Sequence, residues 1–126
     1  MKLTYRDRKG KEYAEMAYIK NMDHEKVLNL TGEVEVAKGQ VVSKTLAQND
    51  AVSITLFAFS KGEEIGGHDS EGDAMVQVIE GTGRFTVGGT EHIVHAGEVL
   101  IMPAKIRHAV YAVEDFKMLL TVVFPA

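Results

Sequence analysis

The chain has 126 residues, with 14 basic and 18 acidic side chains and a formal net charge of −4. That is the length of one domain, and it lacks the basic surplus on which nucleic-acid binding draws. Apolar residues make up 45% and charged residues 25%, so a hydrophobic core can form without metal or disulfide staples. The absence of cysteine excludes disulfides, thiolate ligands and a cysteine nucleophile. No apolar run approaches the roughly 20 residues that cross a bilayer as a helix. The expectation is a cytoplasmic protein with neither nucleic acid nor membrane as partner.

In chain order, Lys11 to Leu30 is the one stretch that reads as substantially helical. Tyr13, Met16, Ala17 and Ile19 are its apolar points, and Asp23 is placed to cap a short turn running into Val27 and Leu28. Residues 1–32 are read as an N-terminal arm and 33–126 as the main domain. From Glu33 onward short runs rich in β-branched and aromatic residues follow one another: Val41-Val42, Val52 to Phe59, Met75 to Ile79, Gly83 to Val87, His92 to Val94, Val99 to Met102, Ala109 to Val113 and Phe116 to Phe124. They read as strands.

Turn signals separate these runs at close intervals, among them Lys61-Gly62, Gly81-Thr82-Gly83, Ala96-Gly97 and Glu114-Asp115. Gly88-Gly89, between Phe85-Thr86-Val87 and Glu91-His92-Ile93, is a two-residue hairpin signal, because glycine takes the positive φ angles that primed turns require. Many short strands with no long helix between them imply an all-β antiparallel sandwich or barrel rather than a parallel α/β sheet. Two strands are apolar on both parities: Met75 to Ile79, and Met118 to Phe124. The outer face of one sheet is therefore expected to be covered by the N-terminal arm or by a second subunit, and a homodimer is expected.

Two segments carry the functional signal. The first is Gly62, five residues, His68, then Ser70, Asp73 and Ala74, ending at Gly81; the second is Gly97, five residues, Pro103-Ala104-Lys105, two residues, His108. The pair resembles the two motifs of the cupin superfamily, a small double-stranded β-helix or jelly-roll barrel. There the first motif reads glycine, five residues, His-x-His, three or four residues, Glu, six residues, glycine. The second reads glycine, five residues, Pro-x-Gly, two residues, His, three residues, Asn. The resemblance spans about Val41 to Phe124 and implies that fold for residues 33–126.

In metal-binding members the motif histidines and glutamate converge on one divalent ion inside the barrel, a donor set suited to Fe, Mn, Ni, Cu or Zn. This sequence keeps His68 and His108. It has Ser70 for the second histidine, Ala74 for the glutamate, Lys105 for the motif glycine and Ala112 for the asparagine. Asp73 stands one residue out of register from the missing glutamate. It would complete a two-histidine, one-carboxylate set with His68 and His108 only if Gly72 allows a bulge. Otherwise the histidines are neutral barrel residues hydrogen-bonded to Ser70, Asp73 or Gln77. Arg107, beside His108, falls by alternation outward or at the mouth and reads as a solvated charge.

The expectation is a pocket lined by His68, Ser70, Val76, Val78 and His108 that takes a small organic molecule beside a degenerate metal site. Two further readings are a metal-dependent dioxygenase, isomerase or decarboxylase, with a divalent transition metal on His68, His108 and Asp73, and a non-catalytic regulatory or scaffold module. The fold cannot choose among them, because it hosts unrelated activities.

Overall fold

The short β-rich runs pair as the turns between them dictate. The computed structural model describes residues 4–6, 12–14 and 18–126. Its strands are β1 (Thr4–Arg6), β2 (Glu12–Ala14), β3 (Val41–Gln48), β4 (Val52–Phe59), β5 (Glu64–His68), β6 (Asp73–Glu80), β7 (Thr82–Val87), β8 (Thr90–His95), β9 (Val99–Met102), β10 (His108–Ala112) and β11 (Phe116–Val123). β1 and β2 pair with each other, and the rest form a five-stranded sheet, β3-β4-β11-β6-β9, and a four-stranded sheet, β5-β10-β7-β8. Every pairing is antiparallel. The Gly88-Gly89 turn has positive φ at both residues, 55° and 87°, and joins β7 to β8 with Val87 opposite Thr90, as a primed hairpin requires.

Both sheets contribute to one apolar core. Phe59 and Val76 from the five-stranded sheet meet Phe85 and Val110 from the other. Phe116 stacks on Phe59 with ring centroids 4.6 Å apart and meets Phe85 edge-on at 6.1 Å, the two arrangements that the ring quadrupole favours. Between β6 and β7, Gly81 turns the chain at φ 76°. A Cβ there would overlap the Asp115 carbonyl, so this turn has room only for glycine.

Two sequence expectations are corrected. Among the described residues of 11–30 no α-helix forms: β2 occupies Glu12–Ala14, and the only helical turn among the described residues is a 3-10 helix, Leu30–Glu33, capped by Asn29. Asn21 and Glu25 sit at φ 63° and 54°, in the left-handed region that an α-helix cannot include. Met16 and Ala17 lie outside the described residues. The second correction is β5, which was not expected because Glu64-Ile65-Gly66-Gly67-His68 has a single strand-favouring residue. It forms by pairing with β10, with a register shift that leaves Gly66 and Gly67 opposite Ala109, a bulge that glycine accommodates.

The outer face of the five-stranded sheet is covered over part of its area from within the chain. Met22, Leu30, Val34 and Val36 pack on Leu46, Leu56, Ala58 and Leu119, and two lysines on that face hold the covering segment by its carbonyls. Lys44 Nζ donates to the Glu33 carbonyl at 3.1 Å and to its carboxylate at 3.2 Å, and Lys117 Nζ donates to the Thr31 carbonyl at 2.7 Å. Lys117 also pairs with Glu80 at 3.5 Å. The remainder of the face, toward β9, keeps Val99, Ile101 and Val123 exposed at 57%, 51% and 58%. Among the described residues no helix is long and apolar enough to cross a membrane.

Candidate functional site

β5 ends at His68 and β10 begins at His108, and the two are Cα partners in the ladder. Their rings stand 4.9 Å apart between centroids, inclined by 57°. His108 alternates with Val110 and Ala112, which face the core, and is itself only 7% exposed; His68 is exposed at the rim. His108 Nδ1 lies 3.2 Å from the Ile106 carbonyl oxygen. A carbonyl only accepts, so in the neutral ring the proton sits on Nδ1 and Nε2 keeps its lone pair. Burial holds the His108 pKa below the ordinary histidine value. Ile106's carbonyl opposes this by favouring the protonated ring, the neighbouring His68 adds to the lowering, and Asp69 favours the charged form.

Ser70 and Asp73 serve the loops instead of joining the histidines. Ser70 Oγ accepts from the Gly72 amide at 3.1 Å, and the Ser70 carbonyl accepts from the Lys105 amide at 2.7 Å. Asp73 Oδ1 accepts from the Ala104 amide at 2.8 Å. The loop between β5 and β6 is thus stitched to the loop between β9 and β10 by two bonds that tie together the two motif segments. The ladder from Asp73 to Val78 runs in continuous register with β11, without the bulge that would turn Asp73 inward, and Asp73 is exposed on the face opposite Ala74 and Val76.

Val76 and Val78 face inward and are fully buried among the core residues. The structure therefore brings His68 and His108 together, keeps Ser70 in the adjoining loop and Asp73 at the start of β6, and places the two valines in the packed interior. Among the described residues no three His, Asp or Glu side chains are grouped so as to hold a metal ion. Two imidazoles alone do not fill the donor set that a divalent transition ion needs, so the side chains assembled here do not fit a resident metal. His95 is exposed, with its Nδ1 3.1 Å from Thr82 Oγ1, and that hydroxyl donates to Glu114 at 2.9 Å.

Two facing antiparallel sheets with the paired histidines at one end define a cupin-type barrel. The chain matches the Cupin domain family (Cupin_2) over residues 55–124. It is similar to a conserved protein of unknown function from Streptococcus pyogenes, with 47% identity, 89% of this chain and 98% of that chain covered, and a TM-score of 0.87. It is similar as well to a cupin superfamily protein from Desulfitobacterium hafniense, at 32% identity over 86% of this chain and 100% of that one, TM-score 0.82. An RmlC-like cupin from Desulfovibrio desulfuricans is 31% identical over 79% of this chain and 97% of that one, TM-score 0.68. No curated protein matches. The protein belongs to the cupin family.

Proposed function

We propose that this cupin binds a small organic molecule at the mouth of the barrel, against the His68–His108 pair, without a metal between them. The supporting observation is the placement of His108: a buried imidazole whose Nδ1 lies 3.2 Å from the Ile106 carbonyl, so that the neutral ring donates from Nδ1 and keeps Nε2 as an acceptor. A hydroxyl or N–H on the ligand satisfies that nitrogen, and the exposed His68 ring supplies a second polar contact 4.9 Å away. The same lone pair can take a proton from a bound ligand, so the arrangement also suits a general base. The absence of cysteine suits a cytoplasmic setting, and a homodimer through the open outer face at β9 is part of the reading.

The test is thermal stabilisation by a panel of small hydroxylated and amino compounds, measured on the wild type, His68→Ala and His108→Ala, with elemental analysis of each as purified. Ligands that raise the wild-type Tm and lose that effect in both variants support the reading. Stabilisation that survives both substitutions refutes it. Near one transition-metal ion per chain, lost on His108→Ala, would replace it with the metal-dependent enzyme reading.

A further inference from the structure

A second cleft, of about 480 Å³, opens at one end of the four-stranded sheet; it is lined by Gly67, Gly88 and Gly89, by Thr86 and Ala109, and by Arg107, with His108 at its border. Thr86 and Ala109 are Cα partners that alternate with the buried Phe85, His108 and Val110, so their side chains point to the outside of the barrel. The cleft therefore extends over the outer face of the sheet, with His108 at its border.

Its floor is glycine backbone, with Ile106 Cγ2 3.2 Å from a Cβ placed on Gly88. Gly67, at φ 68°, has the Arg107 guanidinium where a Cβ would stand, and nothing lies within 4 Å of a Cβ placed on Gly89. The loop that carries Arg107 is tethered to the hairpin, because the Gly88 amide donates to the Arg107 carbonyl at 2.9 Å. Arg84 lies over the Tyr111 ring, 4.5 Å from its centroid, while Lys44 and Lys117 pair with carboxylates. The Arg107 guanidinium, by contrast, has no ion-pair or hydrogen-bond partner among the described residues, and the half-buried Thr86 hydroxyl has none either. Glu91 is the ladder partner of Thr86 and forms no ion pair with Arg107 among the described residues.

We propose that this cleft is a binding site for a small organic carboxylate. The guanidinium fork matches the two carboxylate oxygens, the Thr86 hydroxyl donates a further hydrogen bond, and a flat apolar body rests on Ala109 and the glycine backbone. The volume falls in the small-ligand range. A single cation among mostly apolar walls, in a chain of net charge −4, suits a monoanion better than a phosphate.

The experiment is amide NMR titration of the full chain with benzoate, with benzamide as the neutral control and phenyl phosphate as the alternative anion. It is repeated on Arg107→Gln and Arg107→Lys. Benzoate should shift the amides of Gly67, Gly88 and Gly89, benzamide should not, and Arg107→Gln should weaken binding about 10- to 100-fold, the equivalent of losing a charge-assisted pair. Arg107→Lys should fall between. Unchanged benzoate affinity in Arg107→Gln, shifts confined to His68 and His108, tighter phenyl phosphate binding, or no shift with benzoate each overturn the proposal. Shifts confined to the histidines would leave the barrel-mouth reading standing.

Discussion

Lys105 occupies the position where the second motif has glycine, and its backbone shows the consequence: φ is 64°, in the region where a Cβ crowds the following carbonyl. Left-handed backbone costs an L-residue about 1–2 kcal/mol. Lys105→Gly removes that strain but enlarges the unfolded ensemble, which offsets about 0.4–1 kcal/mol of the gain. The amide bond to the Ser70 carbonyl at 2.7 Å is kept, and the exposed side chain contributes no packing. The net expectation is a protein more stable by about 0.5–1 kcal/mol, or a rise in Tm of about 2–5 °C for a domain of this size. Urea titration measures it, as a higher midpoint with unchanged slope. Lys105→Ala is the control, since it removes the charge and keeps the Cβ, and it should gain little. An equal gain from alanine, or a loss of stability with glycine, would refute the backbone argument.

Gly81→Ala should destabilise by at least about 2 kcal/mol, because it combines a positive-φ penalty with overlap of the Asp115 carbonyl; thermal unfolding measures it. The lowered His108 pKa sets the sign of a pH effect. The unfolded chain takes up a proton at this residue as pH falls through the ordinary value of about 6.5, while the folded chain does so only at lower pH. Stability is thus full above about 6.5 and declines below it until the folded-state pKa is passed. Denaturant midpoints at pH 7.5 and 5.5 should show a decline that is smaller in His108→Gln. Ile101→Glu places a charge in the open apolar face of β9, and sedimentation velocity should show the wild type as a dimer and the variant shifted toward monomer. A monomeric wild type would remove the dimer from the functional reading.

The elements legible in the sequence are those whose signal is local. The Gly88-Gly89 hairpin, the β-branched runs of β6 and β11, and the spacing of the motif glycines all depend on residues a few positions apart, and each appears in the fold. β5 was not legible, because its strand character comes from β10 across the ladder and not from its own glycines. The helix over Lys11 to Leu30 failed for the converse reason: irregular apolar spacing is satisfied by packing Met22 and Leu30 onto the sheet without helical periodicity. At the site, the partnership of His68 and His108 could be read from motif spacing. The diversion of Asp73 to the Ala104 amide, and the bare glycine against Arg107, depend on which loop faces which, which no single segment encodes.

The same stitching sets how hard it would be to rebuild a four-ligand metal centre in this barrel by design. At the rim, Ser70→His sacrifices one side-chain hydrogen bond to the Gly72 amide, about 0.5–1.5 kcal/mol. It leaves the backbone bond from Lys105 intact, since that one ends on the Ser70 carbonyl. Ala74 is another matter: it faces the interior, 2% exposed, with Met102 and Val122 as its cross-strand partners. A glutamate there must displace packed side chains and bury a charge before any ion compensates it. The rim of the site is open to redesign, whereas its inner wall would have to be repacked first.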